Sequence, residues 1–401
     1  MHCPNLQSVP LIEEVISMAD SAVRDVFLKK WETYRQNNHV SHVQSQAANA
    51  ILACKTPSMG FNASLCDDCS FLRIHYCSYG NRNCPHCQQV EKERWIDQRR
   101  SEVLDAPYFH VVFTLPSQLR SLVYANQKLL YDLLHTAASR TVLCLSQDKR
   151  YLGASPGIIQ ILHTWNQTLE YHPHIHCIVS GAGLTRDLKL KKASSHFFIP
   201  VKAMMKKFRG MFPDELKKLY RSSSLYIPDS CSELHTSSLW SDFIDMLYRT
   251  DWCPFIKETF NGFGNAIDYL GRYTHRIAIS NRRIIRVSDT HTTFWYRDRR
   301  DDNQRKEMTL ENCEFIRRFL MHVLPKGFRK IRYYGFLNNR FKKRNLHVLF
   351  SIQGRQQYVS RFSANASAAQ ILKERWNIDI CTCPKCGAAM RFLGNYRRRR
   401  C

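Results

Sequence analysis

A histidine pair stands in the segment 171–180, which reads YHPHIHCIVS. The apolar and β-branched residues around the pair predict a strand, on which His174 and His176 point to one face while Ile175 points to the core. Two imidazoles on one face can hold a divalent cation and leave positions for phosphate oxygens. The pair could therefore form a metal site, although a His-x-His pair taken alone more often faces solvent without a ligand.

Two tyrosines lie four residues apart in the segment 268–276, which reads DYLGRYTHR. On a helix, Tyr269 and Tyr273 share one face. Two neighbouring phenols could act as successive nucleophiles on phosphodiesters, with Arg272, His275 and Arg276 holding the backbone phosphates. Tyrosines at this spacing more often serve packing, so the motif gains its weight from the histidine pair in the same chain.

Two Cys-x2-Cys knuckles, Cys66/Cys69 and Cys84/Cys87, are separated by 14 residues. Such turns point both thiolates into one tetrahedral site, so the spacing predicts one structural zinc ion with four thiolate ligands. Chance cysteines or a redox pair are the alternatives. Further residues lie close enough in sequence to supply a second or substitute ligand, namely Cys54, His75, Cys77 and His86.

A third Cys-x2-Cys pair, Cys383/Cys386, lies near the end of the sequence, with Cys381 and Cys401 close by. One such pair supplies only two ligands, and the surrounding segment offers no second well-spaced pair. A second zinc site and a flexible thiol-bearing tail therefore both stay open.

The charge balance indicates a polyanionic partner. The chain has 401 residues with 59 Lys+Arg against 34 Asp+Glu, a net charge of +25. Each cation near a phosphate releases a condensed counterion, so DNA is the expected partner, and a merely soluble basic surface is the alternative. No apolar run reaches membrane-spanning length and no basic-then-apolar leader is seen, so we expect neither a membrane protein nor a Sec-secreted one. We expect a cytoplasmic, nucleoid-associated protein, in which clustered cysteines bind metal rather than form disulfides.

The elements that must position these residues follow from hydrophobic periodicity. We expect three parts: a helical region with the zinc module at 1–105, a catalytic domain at 106–300, and a basic DNA-binding region at 301–401 with arginines and aromatics interleaved over 329–344. Helices are predicted at 91–104, 119–145, 266–273 and 311–323, and within 1–53. Strands are predicted at 108–114, 158–162, 174–180, 277–279, 284–287 and 293–296, and loops at 54–87 and 189–192.

Taken together, these motifs resemble the two-tyrosine HUH rolling-circle transposases encoded by bacterial insertion sequences. The resemblance runs through most of the chain and rests on an ordered combination of segments. These are AILAC at 50–54, CDDC at 66–69, NCPHC at 83–87, HVVFTLP at 110–116, HPHIH at 172–176, YLGRYTHR at 269–276 and FLMHVLP at 319–325.

The resemblance implies an α+β fold: a ferredoxin-like nuclease domain, with an antiparallel sheet and helices on one face, preceded by a helical zinc-binding module. It implies that His174 and His176 hold a catalytic Mg²⁺ or Mn²⁺ ion, beside a structural Zn²⁺ ion. The strand ending at 113–115 would correspond to the first motif of rolling-circle initiators. Candidates for a third ligand rest on proximity in sequence alone: Gln167, Glu170, His172 and His163.

The implied activity is nicking and rejoining of single-stranded DNA at the ends of an insertion sequence and at its target. Attack by Tyr269 or Tyr273 would leave a 5′-phosphotyrosine and a free 3′-OH, so rejoining needs no ATP. A phenol with an ordinary pKa of about 10 needs activation for this step. The alternatives are a rolling-circle plasmid replication initiator or relaxase, which shares the chemistry, a non-catalytic zinc-containing DNA-binding regulator, and a metal-dependent hydrolase of small molecules.

Overall fold

The computed structural model describes residues 21–87, 89–193, 199–252, 255–260, 271, 278–298, 301–357, 359–360, 362 and 366–396. Its helices are α1 (Ala22–Asn37), α2 (His42–Ala53), α3 (Gln89–Arg100), α4 (Arg120–Ala125), α5 (Gln127–Ser146), α6 (Val201–Arg221), α7 (Ser237–Arg249), α8 (Asn312–Leu320), α9 (Lys342–Ile352) and α10 (Ala368–Trp376). Its strands are β1 (Phe61–Cys66), β2 (Leu72–Tyr76), β3 (Tyr108–Thr114), β4 (Ser155–Trp165), β5 (Tyr171–Leu184), β6 (Leu190–Lys192), β7 (Phe255–Phe260), β8 (Ile284–Val287), β9 (His291–Asp298), β10 (Gln304–Glu311), β11 (Ile331–Gly335) and β12 (Met390–Tyr396).

A central antiparallel sheet has the strand order β11-β4-β5-β3-β7, with β6 paired to the end of β5. The strands β3, β4 and β5 are nearly continuous runs of buried residues, which explains their place in the middle of the sheet. Helices α5, α6 and α7 cover one face through a core that includes Phe113, Leu134, Phe208 and Trp240. The expected α+β class with an antiparallel sheet is confirmed.

The opposite face of this sheet has two halves. On one half, Ile161 and Ile178 are buried under α3 and α9, which contribute Ile96 and Leu349 to the same hydrophobic cluster. Helices therefore lie on both faces, where one was expected, because these isoleucines would otherwise remain in water. The other half of the same face carries histidines.

The N-terminal helices pack on a second core. The apolar residues of α1 recur every three or four positions and are buried, at Val23, Val26, Phe27, Trp31 and Tyr34. Phe27 meets Phe319 of α8 edge to face, with ring centroids 5.5 Å apart. The same core includes Phe294 of β9, from the sheet β10-β9-β8. Helices α1 and α2 thus dock on residues far along the chain.

A small sheet, β12-β1-β2, joins the two ends of the described chain. β12 pairs antiparallel with β1, from Phe61 opposite Tyr396 to Cys66 opposite Met390. Residues after 301 therefore contribute β11 to the central sheet, β10 to a second and β12 to a third. The proposed boundaries near 105 and 300 remain predictions.

Most predicted elements appear with shifted ends. The strands at 108–114, 158–162, 174–180, 284–287 and 293–296 are confirmed, as are the helices at 91–104 and 311–323. The helix at 119–145 is interrupted at Asn126, whose side chain binds the carbonyl oxygens of Leu122 and Tyr226. Three expectations fail. Residues 278 and 279 lie in no strand, 190–192 forms β6 instead of a loop, and the expected loop at 54–87 carries the hairpin of β1 and β2. The helix at 266–273 lies outside the described residues, except for Gly271, which is helical.

Among the described residues, no helix combines the length and apolar character needed to cross a membrane.

Candidate functional site

Three histidines meet on the open half of the central sheet. His163 of β4 lies directly opposite His174 of β5 in the strand register, and His176 follows two residues later on the same face. The potential ligand atoms of His163, His174 and His176 all lie within 4.8 Å of one another. The Nε2 atoms of His174 and His176 are 3.1 Å apart. Three imidazole nitrogens at this separation can share one divalent cation.

Each histidine of the pair is oriented through its other ring nitrogen. His174 Nδ1 lies 2.7 Å from the backbone carbonyl oxygen of His172, to which it donates. His176 Nδ1 lies 2.8 Å from Nε2 of His110, a buried residue of β3 whose ring lies nearly parallel to that of His176. With a proton on each Nδ1, the Nε2 atom of each ring carries the lone pair that can bind a metal.

Of the four candidates for a third ligand, the structure brings His163 into the group. Its ring is buried and lies flat on Trp165, with centroids 4.5 Å apart. His172 Nδ1 instead lies 3.3 Å from Arg120 Nη2, and the Glu170 carboxylate accepts a hydrogen bond from Asn166. The sequence did carry a signal for His163. Side chains alternate along a strand, so Ile159, Ile161 and His163 lie on one face of β4, and its register with β5 puts that face beside His174 and His176.

Cationic groups stand near the histidines. Lys330 Nζ lies 5.0 Å from the centroid of the Trp165 ring, which in turn stacks on His163. Arg120 contacts His172, the residue two positions before His174. Among the described residues no carboxylate joins the three-histidine group. The local charge therefore favours a phosphate group over a cationic substrate.

Gly271 is the one residue of the segment 268–276 that the structure describes, and it packs against this side of the sheet. It is helical and buried, and a Cβ added to it would overlap Cγ1 and Cδ1 of Ile96 on α3. Ile96 belongs to the cluster that covers Ile161 and Ile178, the residues two positions from His163 and His176. The predicted residues Tyr269, Tyr273, Arg272, His275 and Arg276 lie outside the described residues.

The predicted zinc site with Cys66, Cys69, Cys84 and Cys87 as its four ligands is wrong, because the two knuckles belong to two different clusters. Cys66 and Cys69 gather with Cys383 and Cys386, their sulfur atoms all within 4.8 Å. The reason is the hairpin between the knuckles. β2 runs back along β1 for five residues, about 17 Å, so that Cys77 emerges beside Gly60 at the far end.

Cys84 and Cys87 meet Cys54, which follows α2. Cys54 Sγ and Cys87 Sγ are 3.4 Å apart, and the backbone N–H of Gly80 donates to Cys87 Sγ at 3.3 Å. Cys54 was a candidate substitute ligand, and the structure brings it to the second knuckle. His86 was another, but it lies outside the group and its Nε2 is 3.3 Å from Asn281 Nδ2. The three thiols fit a zinc ion with room for one further ligand.

Comparisons with known proteins point to one class. A family model described as "Putative transposase" matches residues 157–345, and a model described as "Transposase zinc-binding domain" matches residues 26–115. The chain is 39% identical over 326 residues to "Putative transposase y4qJ" of Sinorhizobium fredii, covering 81% of this chain and 82% of that protein.

It is 28% identical over 364 residues to "Transposase for insertion sequence element IS801" of Pseudomonas savastanoi pv. phaseolicola, covering 90% of this chain and 86% of that protein. No solved structure matches significantly. The three-histidine group lies within the first matched region, and the cysteines Cys54, Cys66, Cys69, Cys84 and Cys87 lie within the second.

Proposed function

The chain belongs to the transposases encoded by bacterial insertion sequences, and we propose that it nicks and rejoins single strands of DNA by tyrosine attack at the three-histidine group. A transposase must bind DNA and break and join its strands. The proposal concerns how this chain does so: with a rolling-circle mechanism, a 5′-phosphotyrosine intermediate and a single-stranded substrate.

The observation that carries the proposal is the geometry of His163, His174 and His176, with ligand atoms within 4.8 Å on adjacent strands. A divalent cation bound there, Mg²⁺ or Mn²⁺, would polarise the scissile phosphate and stabilise the charge that builds up on it. Imidazole nitrogens favour Mn²⁺ over Mg²⁺, which prefers oxygen ligands. The backbone oxygen of His172 and the ring of His110 hold His174 and His176 in the binding orientation.

In the proposed first step, the phenolic oxygen of Tyr269 or Tyr273 attacks the phosphorus in line with the leaving 3′ oxygen. The tyrosine–phosphorus bond forms as the bond to the 3′ oxygen breaks, the phenol gives up its proton, and the 3′ oxygen gains one. The phosphoester is exchanged and not hydrolysed, so attack by a free 3′-OH can reverse the step. The second phenol would serve the second strand while the first is held covalently.

The contact between Gly271 and Ile96 supports this placement of the nucleophiles. Gly271 stands two residues from each tyrosine in sequence, and α3 lies on the same sheet face as the histidines. Because glycine has no side chain, the backbone at Gly271 approaches α3 closely. Arg272, His275 and Arg276 would then hold the phosphates that flank the scissile bond.

A labelled single-stranded oligonucleotide that carries an end of the element tests the proposal. With Mn²⁺ present, we expect a covalent protein–DNA adduct that survives denaturation, and none with the double variant Tyr269→Phe/Tyr273→Phe. Each single variant should retain some cleavage but lose complete transposition. Tyr226→Phe, at an exposed tyrosine, is the matched control. Peptide mapping that finds the label on neither tyrosine would overturn the mechanism.

A further inference from the structure

The cluster of Cys66, Cys69, Cys383 and Cys386 combines a pair inside the zinc-binding domain matched at 26–115 with a pair about 270 residues beyond its end. We infer that these four thiolates bind one structural zinc ion, which fastens the C-terminal strand to the N-terminal module. This site does not depend on the nicking chemistry.

The sulfur positions fit a tetrahedral ion. Cys66 Sγ is 3.4 Å from Cys386 Sγ, and Cys69 Sγ is 3.5 Å from Cys383 Sγ. Zinc–sulfur bonds of about 2.3 Å in a tetrahedron place neighbouring sulfurs about 3.8 Å apart. A shift of a few tenths of an ångström in each thiol would therefore complete the geometry.

The two Cys-x2-Cys turns have matching backbones. In each, the N–H of the first cysteine donates to the carbonyl oxygen five residues later, Cys66 to Phe71 at 3.0 Å and Cys383 to Ala388 at 2.8 Å. In each, the residue after the second cysteine has a positive φ, +55° at Ser70 and +78° at Gly387. The chain thus builds the same turn twice, and the two turns face each other across one centre.

Contacts around the centre hold the two turns together without the ion. Arg73 of β2 donates to the carbonyl oxygens of Ile380 and Thr382, at 2.7 and 3.2 Å. Asp67, inside the first turn, pairs with Arg391 of β12 at 2.8 Å. Cys66 and Cys383 are buried together with Phe71. This preorganisation lowers the cost of bringing the distant pairs together, and zinc binding would add its free energy to the pairing of β1 with β12.

Because two of the four cluster cysteines are exposed, zinc binding can be tested by thiol labelling of the wild-type protein. Cys69 and Cys386 are exposed, as is Cys381, which lies outside the cluster. In protein purified with reductant and without chelator, a timed pulse of N-ethylmaleimide should label Cys381 at once. Cys69 and Cys386 should react at least about tenfold more slowly, because their thiolates are bound to zinc. After a zinc chelator is added, the two exposed cluster cysteines, Cys69 and Cys386, should become reactive together.

Labelling of Cys69 and Cys386 at the rate of Cys381 in zinc-loaded protein would overturn the inference. So would protection that persists after all zinc has been removed. As a second measurement, Cys383→Ser/Cys386→Ser should contain one zinc ion fewer per chain than the wild type, while Cys144→Ser, at an exposed cysteine of α5, should not change the zinc content. An unchanged content in the double variant would also refute the site. Because the labelling test uses the wild type, it stands even if the double variant fails to fold.

Discussion

Replacing His110 by phenylalanine should weaken metal binding at the three-histidine group without removing a ligand. His110 Nε2 lies 2.8 Å from His176 Nδ1, and both residues are buried, with 4% and 6% of their surface exposed. Phenylalanine keeps an aromatic ring at this position but cannot accept the hydrogen bond from His176. Water cannot easily take over this role at such burial, so the Nδ1 proton of His176 loses its partner. The other tautomer, with the proton on Nε2, cannot bind the ion.

The size of the effect follows from that lost bond. A buried donor left without a partner costs about 1–3 kcal/mol, which corresponds to about 5- to 150-fold in an equilibrium constant. Loss of a hydrogen bond behind a metal-bound histidine typically costs about 10- to 100-fold in metal affinity or activity. We therefore expect the Mn²⁺ concentration for half-maximal nicking to rise by about 10- to 100-fold in His110→Phe.

The assay is a Mn²⁺ titration of nicking on a labelled single strand. At saturating Mn²⁺, nicking by His110→Phe should approach the wild-type rate, because the three ligands remain. His135→Phe is the matched control: His135 is another buried histidine, bound to Gln160 on the opposite face of the sheet. If both variants shift the titration equally, or if saturating Mn²⁺ restores nothing, the positioning role of His110 is refuted.

Four further predictions follow from the same structure. His163→Ala should abolish metal-dependent nicking while His172→Ala retains it, since only His163 joins the ligand group; equal loss in both variants would contradict this. Gly271→Val should prevent adduct formation by clashing with Ile96, and Gly271→Val/Ile96→Ala should restore part of it; a fully active single variant would show that the contact is unimportant. DNA binding should weaken by about 10³-fold or more over a few-fold rise in salt if six or more phosphates are contacted, as filter binding can measure. Burial, together with Arg332, lowers the pKa of His135 from 6.5 to about 3, so its contribution to stability is complete above pH 6.5 and declines as the pH falls toward 3. At pH 5 the loss is about 2 kcal/mol, and the fall in Tm between pH 7 and pH 5 should be smaller in His135→Phe.

Local patterns were enough to predict the strands and helices that carry the histidines. The apolar, β-branched residues at 108–114 and 174–180 each predict a strand, and both segments form strands of the central sheet. Helix α6 was not predicted, although Met204, Phe208, Phe212 and Leu216 recur every four residues and are buried. The segment also contains Gly210 and Pro213, two residue types that ordinarily disfavour a helix interior.

The zinc ligands could not be assigned by spacing. Cys69 and Cys383 are 314 residues apart in sequence, and only the pairing of β1 with β12 brings them together. The spacing of 14 residues between the two N-terminal knuckles is typical of one site, but the hairpin between them sends the second knuckle to the other end. His163 was likewise one candidate among four until the register of β4 with β5 was known.

The position of β12 in the small sheet has a consequence for the order of synthesis. β1 is the middle strand of β12-β1-β2, yet its partner on one side is the last strand of the described chain. While the ribosome is still making the intervening residues, β1 exposes an unpaired edge to any passing strand. A chain that stops before residue 390 retains the histidines and both tyrosines but never covers this edge. Premature termination should therefore yield an aggregation-prone protein, so that the proposed nicking activity requires translation through β12.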